Sequence, residues 1–186
     1  MNESISTRLK NNLLPRRLAA YLIDWFLSDL CISFPVVLIY GSLFDTTDMI
    51  YDLFAFPYPI NIGVGFLCLG VATLYFLILP TFLWKGQTPG KKLCHIKIVT
   101  LTNDHPTFLS MCKRQILGIL LLEGALYPAS LYVREILTIL TDNSDLLRIL
   151  YMAGLVLSIL SILLTLFTSK QQSLHDLMAH TKIIKA

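Results

Sequence analysis

The sequence predicts an all-α membrane protein, a bundle of four transmembrane helices with a short cytoplasmic motif loop, and three observations predict it. Apolar residues make up 55% of the 186-residue chain and its mean hydropathy is +0.66. Charged residues make up only 15%, against roughly 25% in an ordinary globular domain. The cations are grouped, and the groups alternate with long apolar runs. A soluble domain of this size keeps too much of its chain at the surface to hide such an apolar excess in one core. Lipid is the solvent that accepts it.

A spanning helix needs about 20 mostly apolar residues, and the chain offers such runs at residues 17–40, 60–84, 116–140 and 147–168. Pro15 stands where a proline can open the first helix. The third run is the least regular, because Glu123, Pro128, Arg134 and Glu135 interrupt it, and a re-entrant segment is the alternative there. Residues 1–16 form a polar N-terminal segment, and residues 17–184 hold the membrane domain. The first apolar run is too long for a signal-peptide core and lacks a small-residue cleavage site, so it is expected to stay in the mature protein.

Charge placement sets the orientation. Arg8, Lys10, Arg16 and Arg17 precede the first run. Lys85, Lys91, Lys92, Lys97, Lys113 and Arg114 lie between the second and third, and Lys170, Lys182 and Lys185 follow the fourth. Thirteen of the fifteen Lys and Arg residues thus fall on one side. Cationic loops stay cytoplasmic, so both termini and the basic loop are expected inside. Aromatic residues (Tyr40, Phe44, Phe54, Phe56 and Tyr58) crowd the opposite end of the first hairpin, as an interfacial belt does. Asp45, Asp48 and Asp52 would share a face if their connection were helical. Gly154, Ser158 and Thr165 form a small-residue stripe that suits close helix packing.

Four cysteines would allow two disulfides, but Cys31 and Cys68 sit in apolar runs, and Cys94 and Cys112 sit in the loop assigned to the reducing side. Free thiols are expected. Cys94, His95, His105 and Cys112 lack the paired close spacing of a zinc site, and no metal or cofactor is expected. Residues 95–101 alternate enough for a short strand, Thr102, Asn103 and Asp104 form turns readily, and residues 181–185 are also β-prone. A small strand pairing at the cytoplasmic surface is expected.

Intramembrane carboxyls are the residues that could carry chemistry, because lipid makes them costly, by about 3 kcal/mol at mid-depth. Asp24 follows Arg17 by seven residues on one helix face, but helical side chains lean toward the N-terminus. Arg17 should therefore point away from Asp24, toward lipid phosphates, and Asp24 needs a partner from another segment or a proton. Glu123 falls at about the same depth, and Pro128 frees the carbonyl of Gly124 beside it. Two readings of Asp24 and Glu123 stay open: a proton or cation site facing the bundle interior, or paired structural groups. Asp29 lies about 140° around the helix from Asp24 and should meet a different neighbour.

The string Lys85-Gly86-Gln87-Thr88-Pro89-Gly90-Lys91-Lys92 is not a phosphate-binding P-loop, for its glycine spacing is one short and no Ser or Thr follows Lys91. Pro89 and Gly90 suit the centre of a type II turn, which would aim Lys91 and Lys92 at the membrane surface and at anionic lipid headgroups. Near the C-terminus, Ser173 to Thr181 holds His175, Asp176 and His180, and Asp176 is expected to meet a loop cation such as Lys91.

Arg17-Leu18-Ala19-Ala20-Tyr21-Leu22-Ile23-Asp24, Gly86-Gln87-Thr88-Pro89-Gly90-Lys91-Lys92-Leu93 with Ile96-Lys97-Ile98-Val99, and Leu174-His175-Asp176-Leu177 together resemble the RDD family of bacterial membrane proteins. That family is named for an arginine and two aspartates, which match Arg17, Asp24 and Asp176. Thr88, Pro89, Gly90 and Lys91 match its loop motif. One departure is His180, where the family commonly has glycine. The resemblance implies a multi-pass protein of the bacterial plasma membrane and no catalytic chemistry. Transport is proposed for the family, and cation/proton antiport is attributed to some members. Two functions follow as expectations. One is a transport component coupled through Asp24 and Glu123, completed by homo-oligomerisation or a membrane-protein partner. The other is a non-transporting accessory protein, an assembly, immunity or stress factor that docks a partner through its cytoplasmic motifs. No nucleophile, base and orienting group stand together as an enzyme would need, and no nucleic-acid partner is expected.

Overall fold

In the computed structural model, residues 13–116, 127–167 and 171–186 are described. Helix α1 runs Leu14–Phe44, with Pro15 in its first turn and Pro35 inside it. Its 31 residues extend about 46 Å, longer than the roughly 30 Å hydrocarbon layer, so both ends reach into the interfaces. Asp45 ends it in the left-handed conformation, its N–H turned back to the Gly41 carbonyl. A 3₁₀ turn at Leu53–Ala55, capped by the Asp52 carboxylate, leads to helix α2 at Ile60–Thr73.

Below Thr73 the same helix widens into a π-helical stretch, Leu74–Leu83. Pro80 lies inside it and has no N–H to give. The wider ladder lets the Trp84 N–H reach the Leu79 carbonyl at 3.0 Å. A short helix α3 (Pro89–Leu93), strand β1 (Ile96–Thr100) and a short helix α4 (Phe108–Cys112) follow. Then come α5 (Pro128–Thr141), α6 (Ser144–Phe167), the short α7 (Leu174–Met178) and β2 (Thr181–Lys185).

Three helices, Leu14–Phe44, Ile60–Leu83 and Ser144–Phe167, are long and apolar enough to cross a membrane. The chain is a multi-pass membrane protein. The expected third span is not among these three. Its described part is α5, whose 14 residues cover about 21 Å, and residues 117–126 lie outside the described segments.

Exposure is inverted relative to a soluble protein. Leu18, Leu22, Phe26 and Phe34 on α1, Phe66 and Leu74 on α2, and Ile149 and Val156 on α6 all face outward. The interior between α1, α2 and α5 is closed by Ile32, Val36, Val64, Cys68, Tyr132 and Ile136. Gly65 makes this possible, since a Cβ there would lie 2.8 Å from the Ile136 and Leu53 side chains. Gly154, Ser158 and Ser161 are buried on α6, and Thr165 is half-buried one turn on. The small-residue stripe therefore packs inward, with Ser161 as a member the sequence reading had not included.

The expected strand pairing is present. β1 and β2 are antiparallel, with Ile96 opposite Lys185, Ile98 opposite Ile183 and Thr100 opposite Thr181. Because β1 follows α2 and β2 closes the chain, the basic loop and the C-terminal segment share one face of the molecule, here the motif face. Arg16 also reaches the Cys94 carbonyl, at 3.4 Å, so the start of α1 is on that face too. The acidic connection on the opposite face is not helical between Asp45 and Asp52. Asp45 terminates α1 through its backbone, the Asp48 carboxylate accepts the Thr46 hydroxyl and the Asp52 carboxylate caps the 3₁₀ turn, so the three do not share one helix face.

Candidate functional site

Two buried carboxylates organise the motif face. Asp24 lies on the inward side of α1 and is 3% exposed. Its Oδ1 accepts the Tyr75 hydroxyl at 3.0 Å and the Gly90 N–H at 2.8 Å. Its Oδ2 accepts the Thr88 hydroxyl and faces the Lys91 ammonium at 3.4 Å. Lys91 Nζ also lies 3.1 Å from Thr88 Oγ1. Asp24 therefore ties α1 to the π-helical part of α2 and to α3.

The local chain path explains this. Thr88 is extended, and Pro89 stands at the start of α3, where its lack of an N–H costs nothing. The Lys92 N–H closes on the Thr88 carbonyl at 2.9 Å. Pro89-Gly90 thus opens a helical turn instead of centring a type II turn. That rotation corrects the expectation for the lysines: Lys91 turns inward to Asp24, while Lys92 turns outward and stacks 4.4 Å over the Trp84 ring. Gly90 has to be glycine, because a Cβ would lie 2.4 Å from the Ala20 carbonyl oxygen and 2.8 Å from the Asp24 carboxyl carbon. Burial lowers the Lys91 ammonium below its ordinary value, with Asp24 acting in the opposite direction.

Asp176 is fully buried. It closes a capping box with Ser173, whose N–H and hydroxyl lie 3.2 and 2.8 Å from Oδ2. Arg17 Nη2 reaches Oδ2 at 2.8 Å, and the Arg114 guanidinium grips Oδ1. Arg114 also donates to Thr181 Oγ1 at 3.0 Å, and Arg17 to the Gln171 carbonyl. One carboxylate thereby joins the start of α1, the chain just beyond α4, and α7 with β2. Burial alone would raise the Asp176 carboxyl, but Arg114, then His175 and Arg17, hold it well below the usual carboxylate range.

The partners differ from the expected ones in two respects. Arg17 does point away from Asp24, but into the protein and onto Asp176, where an anion has already been desolvated, and not to lipid phosphates. Asp176 meets these two arginines and not Lys91, which Asp24 takes. Glu123 lies outside the described residues. Asp29 is on the exposed side of α1, and no partner meets its carboxylate among the described residues. Tyr75, Arg114, Ser173 and Thr181 were missed as site residues. Arg114 and Lys113 read alike as interfacial cations, and only the excess of buried carboxylates over intramembrane cations hinted that one of them turns inward.

The RDD family model matches residues 13–180. The chain belongs to the RDD family. Arg17, Asp24 and Asp176, read from the sequence as the family's signature, form two separate locks instead of one triad. The departure at His180 also acquires a physical meaning: its φ is 51°, in the left-handed region that glycine enters without steric cost. Comparison with curated proteins and with solved structures returned no match.

Proposed function

We propose that this RDD protein crosses a bacterial plasma membrane four times with its motif face in the cytoplasm. We further propose that it is a transport-related component exchanging a monovalent cation for a proton at Asp24 and Lys91. The shared face of β1 and β2 supports an even number of crossings. The Leu174 N–H on that face meets Ser161 near the end of α6, so the Ser144 end of α6 belongs to the opposite face. A further crossing between Cys112 and Ser144 would reconcile the two faces. Glu135 of α5 accepts the Leu53 N–H, at 3.1 Å, in the connection beyond α1, which suits the outer end of that crossing. The positive-inside rule orients the whole.

The observation that carries the exchange reading is the seat of Lys91. Its ammonium rests between a carboxylate oxygen and a hydroxyl oxygen, Asp24 Oδ2 at 3.4 Å and Thr88 Oγ1 at 3.1 Å. Hard cations take such oxygen ligands. Burial already disfavours the charged lysine. When Lys91 gives its proton to solvent, the neutral amine can withdraw, and a cation can take the vacated charge beside Asp24. Net charge in the site is unchanged, so proton and cation leave and enter in alternation. Four crossings are few for a complete path, and a second copy or another membrane protein would complete it.

The experiment is pH-dependent cation flux in proteoliposomes. Asp24→Asn and Lys91→Gln should each abolish it while leaving membrane insertion intact, and retained flux in either would rule the site out. A second reading, a non-transporting accessory protein, draws on the saturation of both carboxylates by donors from the chain itself. On that reading the two locks serve to hold the basic motif face in shape for a partner, and the same two variants would leave partner capture, not flux, as the property to follow.

A further inference from the structure

Where α2 ends, the chain folds around a cavity of about 300 Å³ whose lining includes Trp84, Lys85, Lys92, Lys97 and His105. Three elements are needed to build it. The turn at Lys85 and Gly86, both with positive φ, brings the chain back under α2. β1 is held against that turn by the Ile98 N–H on the Gly86 carbonyl, at 2.8 Å, and by the Gln87 amide on the Ile96 carbonyl, at 2.9 Å. α3 supplies Lys92 through its stacking on Trp84. A Cβ on Gly86 would lie 2.3 Å from the Ile98 carbonyl oxygen, so the wall has a defined shape.

Among the described residues no acidic side chain lines this cavity, Ala186 borders it through its main chain, and none of its three lysines is ion-paired. That contrasts with Arg17, Lys91 and Arg114 nearby, each of which is ion-paired with a buried carboxylate. The lysines facing the cavity are thus among the cations with no carboxylate within ion-pair distance. Its surroundings are apolar: Phe82 and Leu83 on the last turn of α2 and Leu93 on α3 are each more than 60% exposed. Such side chains on an otherwise basic surface sit favourably only in the acyl region of a bilayer. A pocket with cations inside, a tryptophan at its wall and acyl-facing leucines beside it matches the parts of one ligand.

We propose that this cavity binds a phosphate group, and that the phosphate is the headgroup of an anionic phospholipid of the surrounding leaflet. The lysines neutralise the phosphodiester, Trp84 and His105 offer N–H donors at its edge, and the acyl chains run along Leu83 and Leu93. The site is independent of exchange at Lys91, whose side chain points the other way.

The test uses the full chain in detergent with Trp25→Phe, which leaves Trp84 as its only tryptophan. Trp84 emission is titrated with phosphatidylglycerol, with phosphatidylcholine and with inorganic phosphate, and lipid retention is followed by native mass spectrometry. Phosphatidylglycerol should be retained and should shift the emission, phosphatidylcholine should not, and millimolar phosphate should not displace the lipid. Replacing Lys85, Lys92 and Lys97 together with Gln should weaken phosphatidylglycerol binding roughly tenfold or more, with an unchanged melting temperature. Should that variant melt early, Lys85→Gln alone, at an exposed position, should still lose about fivefold. Equal retention of both lipids, or undiminished binding by these variants, would overturn the site. Displacement by phosphate alone would overturn the lipid as its occupant.

Discussion

Removing the Asp176 carboxylate would leave the Arg114 guanidinium, itself 2% exposed, buried with no anion. Breaking a buried ion pair from one side costs about 3–5 kcal/mol. Asp176→Asn should therefore lower the unfolding free energy by that order in detergent, measured by chemical denaturation. The same carboxylate sets a pH dependence. Its native pKa is held below the ordinary value, so its contribution is fully present above the usual carboxylate range, near about 3.9, and is lost as pH falls below that toward the native value. The wild type should lose stability steeply on acidification through this window, and Asp176→Asn should show a shallower loss. Equal slopes would mean that the arginines do not stabilise the ionised form. Which arginine meets which aspartate was not legible in the sequence. Periodicity places Arg17 and Asp24 on one side of α1, yet their partners come from residues more than fifty positions away along the chain.

At the scale of elements, α3 shows why the motif is written Thr-Pro-Gly-Lys. Proline followed by glycine suits a type II turn and a helix start equally well on local grounds. The choice between them is made by α1, whose Ala20 carbonyl and Asp24 carboxylate lie close enough to admit only a glycine. Gly90→Ala should force α3 away from α1, lengthen the Gly90 N–H bond to Asp24 and displace Lys91. A cost of about 1–3 kcal/mol is expected for such overpacking against backbone, read as a lower melting temperature together with faster hydrogen exchange at Ile96–Thr100. An unchanged melt would mean that α3 is held by something other than this contact. The strand pairing, by contrast, was legible. Alternating apolar residues with a Thr-Asn-Asp turn after one strand and a β-prone C-terminal segment need no distant information, and they pair as read.

On the scale of the whole molecule, the apolar runs carried most of the fold. The bounds of α1, the α2 span and α6 fall close to those runs because each is decided by hydropathy along a single stretch. The interruption of the third run by Glu123, Pro128, Arg134 and Glu135 marked the place where that rule loses force. Arg134 and Glu135 prove to be buried in α5, as groups facing protein instead of lipid. The candidate site was legible in its residues but not in its geometry: Asp24, Thr88, Gly90 and Lys91 were each singled out, yet their convergence depends on the rotation of α3. That convergence gives the exchange proposal its most direct measurement. Purified protein in weakly buffered detergent solution is given sodium or potassium at constant ionic strength, and proton release is followed. Release of about one proton per chain is expected on saturation, and none from Lys91→Gln or Asp24→Asn. No release from the wild type, or the same release from either variant, would contradict exchange at Asp24 and Lys91.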